Sequence, residues 1–195
     1  MGYCMEYANN IFLQPFLYLN RVIVEGPSKL QRSESLKLTV DEAYERFADH
    51  VFAAAFNVCR NGTDADDVVQ DTFIKYYSVR KEFSDEEHIK AWLLRVAINR
   101  AKDIRTSFWK RNKVAWEEYM EELVFEAPED SRLFEAVMKL PQKYRTAIHL
   151  HYYEDYSIRE IAEILSSREG TVKSQLNRGR ALLKEALMEE WNDEK

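Results

Sequence analysis

A chain of 195 residues with 46% hydrophobic side chains can bury one large or two small cores, and its 28 basic against 34 acidic groups leave a net charge of -6. Only 5 Gly and 4 Pro argue against turn-rich sandwiches, barrels and low-complexity chains, so an all-α fold is expected. The longest apolar run, Val51 to Phe56, is far short of the ~20 residues of a membrane span, and no basic-then-apolar signal opens the chain, so a cytoplasmic protein without direct membrane insertion is expected.

Residues 1–39 carry a net charge of +1 and an apolar cluster of Ile11, Phe12, Leu13, Phe16 and Leu17, interrupted by Gln14-Pro15 and followed by the turn signal Gly26-Pro27-Ser28. Neither a helical nor an alternating period persists there. The expectation is an N-terminal extension, either a loosely ordered leader or a docking arm. A first helical domain is expected over 40–110. Tyr44, Phe47, Val51, Ala55 and Val58 recur at steps of three and four, one apolar stripe with Asp41, Glu42, Glu45 and Asp49 elsewhere around the helix. Asn61-Gly62 stops this helix, and Thr63 with Asp66 and Asp67 predicts the start of the next. That second helix packs through Val68, Val69, Thr72, Phe73 and Tyr76, leaves Asp67, Gln70, Asp71 and Lys75 on other faces, and ends near Lys81.

Charge then reverses. Residues 40–87 sum to -7 and residues 88–113 to +7, a strip facing a polyanion on a molecule that otherwise repels one. A third helix, from about Glu87 to Thr106, buries Ile89, Trp92, Leu93, Val96, Ala97 and Ile104. At about 100° per residue, Arg95, Asn99 and Lys102 share one fan away from that stripe. Arg105, Lys110, Arg111 and Lys113 extend the charge. Residues 114–135 return to -7, and the acidic, aperiodic stretch 111–130 reads as a linker, either a solvated spacer or a segment that shields the basic faces.

A second domain is expected over 131–190. Leu133, Ala136, Val137 and Leu140 predict a short helix stopped at Pro141, and Tyr144, Ala147 and Ile148 a new one with that proline in its first turn. Ser157 and Glu160 form a capping box ahead of Ile158, Ile161, Ala162 and Leu165, a helix of barely two turns. Past Ser166, Ser167 and Arg168 comes a longer helix with Val172, Leu176, Gly179 and Leu183 on one face and Thr171, Lys173, Ser174, Gln175, Asn177, Arg178 and Arg180 around the rest. This is the pattern of a helix-turn-helix, whose second helix enters the major groove, although an ordinary amphipathic hairpin shares it. The second domain is thus expected to be a four-helix unit.

No Gly-rich phosphate loop, nucleophile-and-base ordering or apolar carboxylate pair suggests catalysis, so no enzyme and no cofactor is expected. His149 and His151, two apart on a helix, point about 200° away from each other and cannot chelate one ion, even with Glu154 and Asp155 near. Two cysteines, Cys4 and Cys59, are too few for a disulfide framework and read as small reduced apolar residues.

The strings Ala65-Asp-Asp-Val-Val-Gln-Asp-Thr-Phe73, Ala91-Trp-Leu-Leu-Arg-Val-Ala-Ile-Asn99, and Leu140-Pro141 through Ile158-Arg-Glu-Ile-Ala162 to Glu169-Gly-Thr-Val-Lys-Ser174 together resemble an RNA polymerase sigma factor of the extracytoplasmic function (ECF) type. The resemblance spans about residues 40–190. Gln175 stands where such proteins often carry arginine, and Ser166-Ser167 replaces a glycine-bearing turn. The resemblance implies two small helical domains that bind core RNA polymerase, recognise the -10 and -35 promoter elements and promote melting, with an anti-sigma factor as regulator. It implies core-polymerase contacts at Asp67, Gln70, Asp71 and Phe73, and -10 contacts at Arg95, Asn99, Lys102 and Arg105. The loop from Phe83 to His88 would receive a flipped base, with Tyr76 and Tyr77 as possible stacking partners and Phe83 and Trp92 read as core. For the -35 element it implies Arg168, Thr171, Lys173, Ser174 and Arg178. A free-standing helix-turn-helix regulator is the alternative.

Overall fold

The computed structural model describes residues 38–111 and 131–193; the N-terminal extension up to residue 37 and the acidic segment 112–130 lie outside the described residues. Seven helices run through the described residues: α1 (Val40–Cys59), α2 (Gly62–Ser78), α3 (Glu86–Arg111), α4 (Ser131–Lys139), α5 (Gln142–Tyr152), α6 (Ile158–Ile164) and α7 (Glu169–Asp193). The fold is all-α, and none of these helices is long and apolar enough to cross a membrane.

Side-chain caps place the helix starts. Thr39 and Glu42 form a capping box on α1, in which Thr39 Oγ1 accepts from the Glu42 amide and the Glu42 carboxylate accepts from the Thr39 amide at 2.8 Å. At the other end of α1, Arg60 adopts a left-handed conformation (φ 61°) and donates its amide to the Phe56 carbonyl. Because that single residue turns the chain, Asn61 rather than Thr63 caps α2: its side chain accepts from the Asp64 amide at 2.9 Å, and Gly62 already lies inside the helix. Helix α2 ends at Ser78, three residues early, while α3 runs five residues beyond Thr106. Asp85 opens α3 by accepting from the His88 amide at 2.7 Å.

In the first unit, α1, α2 and α3 bury Val51, Ala55, Val58, Val68, Phe73, Ile89, Leu93 and Ala97 against one another. At one end, Tyr76, Phe83 and Trp92 form an aromatic cluster with centroids 5.8 to 6.1 Å apart. Tyr76 also donates its hydroxyl to the Leu38 carbonyl at 2.9 Å. In the second unit, Ala147, Ile148 and Leu150 of α5 meet Ile161 and Ala162 of α6 and Val172 and Leu176 of α7. Gly179 lets α5 and α7 close on each other: a Cβ there would stand 3.1 Å from Ile148 Cγ1 and 3.4 Å from Tyr144 Cβ.

The two units also pack together, which the sequence did not foretell, and their buried side chains form one contiguous cluster. Helix α1 lies against α5, and α3 against α6. Arg145 of α5 donates from Nε to the Asn57 carbonyl of α1 at 2.7 Å, and from Nη1 to the carbonyls of Met138 and Leu140. Glu154, just beyond α5 and 6% exposed, places Oε2 at 2.8 Å from His50 Nδ1 of α1 and 2.9 Å from Lys90 Nζ of α3. Its other oxygen faces His149 Nε2 at 3.4 Å. Arg95 of α3 donates to the Glu163 carbonyl of α6.

Two outcomes are expected. Gly179→Leu forces α5 from α7 and costs about 1–3 kcal/mol of stability, read as a lower urea midpoint at unchanged slope. Burial pushes the Glu154 carboxyl up, but the adjoining His149 and His50 rings overcome this and hold it well below the usual carboxylate range. Since the unfolded chain then binds that proton more tightly, the stabilisation is complete above the ordinary pKa of ~4.3 and fades as pH falls toward the folded value. Unfolding free energies measured from neutral pH down to about pH 3 should show a shallower acid decline in Glu154→Gln.

Candidate polymerase and nucleic-acid interfaces

Helix α2 turns one strip of side chains to solvent. Asp67 and Gln70 are exposed, and Asp71, half-buried, accepts from Arg100 Nε of α3 at 2.7 Å. Phe73 does not belong to this strip: at 5% exposure it sits beneath it, in edge contact with the Tyr44 ring at 5.0 Å. The surface is instead completed by Ile74 and Tyr77, 66% and 77% exposed. The order 67, 70, 71, 74, 77 is a helical strip with acidic and amide groups at its start and apolar ones at its end. The sequence does not single out Ile74, and it offers Tyr77 only as a stacking partner for a base. Each lies one residue past a buried aromatic, Phe73 or Tyr76, and that offset of about 100° was the available signal.

The basic face of α3 is only partly open. Asn99 is exposed, whereas Arg95, Lys102 and Arg105 are half-buried. Burial pulls the Lys102 ammonium below its ordinary pKa. Arg95 is already spent on the Glu163 carbonyl of the other unit. Arg105 lies near Arg60 and Arg145, where its charge works with burial to pull both guanidinium pKa values down. Arg100, beside Asn99, is exposed and ties this face to the α2 strip through Asp71.

At the start of α3, Phe83 is 1% exposed and lies within the aromatic cluster, as does the partly buried Trp92. Tyr76 is equally closed to solvent, so of the two tyrosines only Tyr77 is free to stack on a base. Ser84 and Asp85 of the loop are exposed and bonded to each other at 2.9 Å, and Glu86 and Glu87 after them are exposed too. The His88 ring sits between Ser84 and Lys81, at 3.3 Å and 3.1 Å.

In the second unit, the Ser157 and Glu160 capping box is formed as the sequence predicts, with Ser157 Oγ accepting from the Glu160 amide and the Glu160 carboxylate from the Ser157 amide. Leu165 closes α6, Ser166 takes a left-handed turn (φ 50°), and the Ser167 amide donates to the Ala162 carbonyl at 2.8 Å. Ser166 thus does what glycine does at lower steric cost. Val172 and Leu176 point into the core, so Thr171, Lys173, Ser174 and Arg178, all exposed, span the opposite half of α7, with Arg168 exposed just ahead of it. Asn177 shares this face, its side-chain oxygen accepting from Arg180.

Cys59 is free and buried, and burial pushes its thiol up to about 12, which leaves it unreactive. The two helix histidines diverge as expected: His149 faces Glu154, while His151 Nδ1 lies 2.9 Å from the Tyr156 carbonyl. No cluster of His, Cys, Asp and Glu fit for a metal ion occurs among the described residues.

Comparison with known proteins agrees with this division of the chain. Residues 43–113 match the Sigma-70 region 2 family and residues 131–183 the Sigma-70, region 4 family. The ECF RNA polymerase sigma factor SigW of Bacillus subtilis is 30% identical over 158 residues, covering 72% of this chain and 84% of the relative. The RNA polymerase sigma factor SigV of the same organism is 32% identical over 142 residues, covering 71% and 85%. Among solved structures, the sigma factor RpoE in complex with the anti-sigma factor NepR, from Bartonella quintana, is similar in fold (TM-score 0.58, 22% identity, 76% of this chain and 96% of that one). CnrH in complex with the cytosolic domain of CnrY is similar at a TM-score of 0.53 and 26% identity, over 76% of this chain and 86% of that one. With a relative of this identity matched over most of its length, and both conserved sigma regions present in order, the chain belongs to the ECF family of RNA polymerase sigma factors.

Proposed function

We propose that the protein is a dissociable initiation subunit that docks on core RNA polymerase through α2, reads the -10 element through α3 and the loop before it, and reads the -35 element through α7. The observation that carries this reading is the pairing of an acidic docking strip with a basic face in one small unit, and an exposed helix-turn-helix in the other. Asp67, Gln70 and Asp71 supply polar contacts to the polymerase, Ile74 and Tyr77 the apolar area, and Phe73 supports them from beneath. Arg95, Asn99, Lys102 and Arg105 face the -10 element, with phosphate contacts and side-chain amide contacts from one helix. A base extruded from the melted strand would meet Ser84, Asp85 and His88, while Phe83 keeps the loop in place.

On α7, Lys173 and Arg178 are the phosphate or guanine partners, and Arg168, Thr171 and Ser174 complete the -35 contacts. The solved relatives include sigma factors held by anti-sigma factors, and a regulator of that kind, covering the α2 strip and the DNA faces, is proposed here as a partner. The chemistry of RNA synthesis is left to the polymerase, so this chain needs no catalytic group or cofactor of its own and works in the cytoplasm where the polymerase is.

The direct test is run-off transcription with purified core polymerase on fragments of the source genome, beside a gel-shift assay of the lone protein. Specific transcripts only when both proteins are present, with weak binding by the lone chain, are expected. Tight binding of one duplex site without any association with core would make the free-standing regulator correct instead. Asp67→Lys should weaken core association by about tenfold, or ~1.4 kcal/mol, in a competition assay, with the helical content unchanged. Arg178→Ala should flatten the salt dependence of -35 duplex binding by about one unit of slope if the guanidinium meets a phosphate.

A further inference from the structure

Helix α1 ends against two neighbours. Cys59 Sγ lies 4.0 Å from the Ala101 carbonyl of α3, and the Asn57 carbonyl accepts from Arg145 Nε of α5 at 2.7 Å. Arg60, the next residue, therefore leaves the helix between α3 and α5. It does so in a left-handed conformation (φ 61°), which glycine or asparagine takes at lower cost. On α3, Arg105 stands four residues after Ala101 and so on the same side of that helix. Its charge reaches both Arg60 and Arg145. Lys102 lies beside it, three residues earlier.

These charges are not balanced among the described residues. Arg145 is spent on carbonyls. Arg60, Lys102 and Arg105 are half-buried and have no ion pair there. Arg60 Nε is buried and meets no acceptor. Burial and the Arg105 charge pull the Arg60 guanidinium pKa down, and burial does the same to Lys102. Two carboxylates stand near in the chain, and neither answers these cations. Asp64, whose charge reaches Cys59, is pushed up by burial and by Asp67, with no cation drawing it down. Asp103 lies about 200° round α3 from Arg105. An arginine held in a strained turn, with a buried donor unpaired and a second cation beside it, is a cost that a bound anion reverses.

We propose that Arg60, Lys102 and Arg105 form a binding site for a phosphoryl group where α1 ends against α3, with the buried Arg145 adding its field from α5. A carboxylate brings one charge and two oxygens. A phosphoryl group brings close to two charges and three acceptor oxygens, and so can meet two guanidinium forks and an ammonium at once. Arg105 is turned about 120° round α3 from Asn99, so the site lies at the margin of the fan that carries Arg95 and Asn99. The phosphoryl group belongs either to a DNA backbone or to a free oligophosphate, and both present the same chemistry to these side chains.

The test uses the full chain and Arg60→Gly, which removes the guanidinium and places glycine where the left-handed turn favours it. Without phosphate the variant should melt no lower than the wild type. At matched ionic strength, sodium tripolyphosphate should raise the wild-type melting temperature above its value in sodium chloride. Calorimetric titration should show tripolyphosphate binding about tenfold weaker in Arg60→Gly. Lys184→Gln, which removes one exposed charge elsewhere on the chain, should bind as the wild type does; an equal loss there would mean an adventitious ion only and overturn the site. Gel shifts on a duplex over a salt series identify the source. A slope smaller by about one unit in Arg60→Gly assigns the site to a DNA phosphate, and an unchanged slope with weakened tripolyphosphate binding assigns it to a free oligophosphate. Tripolyphosphate affinity and salt slope both unchanged by Arg60→Gly would overturn the site. Neither readout involves core polymerase, so the initiation-subunit reading can fail without the site failing.

Discussion

The structure depends most on one buried guanidinium. Arg145 is 1% exposed, and among the described residues no carboxylate pairs with it. Its donors go to three carbonyls: Met138 near the end of α4, Leu140 just beyond it, and Asn57 in the last turn of α1. Helix C-termini expose unpaired carbonyls and carry partial negative charge. One cation thus finishes two helices from two different units, and ties the fold of the second to its position on the first. Burial, with Arg60 and Arg105 nearby, pulls its pKa down to about 9, so it stays charged at neutral pH. Burying such a charge is tolerable because Nε and Nη1 both meet carbonyl acceptors.

Around that anchor, the surface is organised by which charges are free. The acidic strip on α2 and the basic face on α3 share a small three-helix unit and are joined by Asp71 and Arg100. That pair is half-exposed on both sides, so it contributes little to stability. Its consequence is positional: it fixes the boundary between the acidic strip of α2 and the basic face of α3. In the second unit the division is made by α7 itself, whose one side packs on α5 and α6 while the other carries Thr171, Lys173, Ser174 and Arg178.

Most of the elements were legible in the sequence because they rest on local rules. The apolar steps of α1, the capping box of α6 and the stripe of α7 are written within a turn or two of chain. The equally local Thr39 and Glu42 box carries the same signature, and the sequence reading passed over it. The Thr63 start was misplaced because Arg60 supplies the left-handed turn, and nothing about an arginine announces that conformation. Phe73, expected both to pack and to meet the polymerase, lies beneath the α2 strip, because apolar character alone does not fix a residue within about 100° of a helix face. The docking of the two units was invisible. Its contacts join residues far apart in sequence, such as His50 with Glu154 and Arg95 with Glu163, and no periodicity records such a pair. In the sequence Glu154 stands out only through its place near His149 and His151, which points to a metal ligand and not to a partner on α1 or α3.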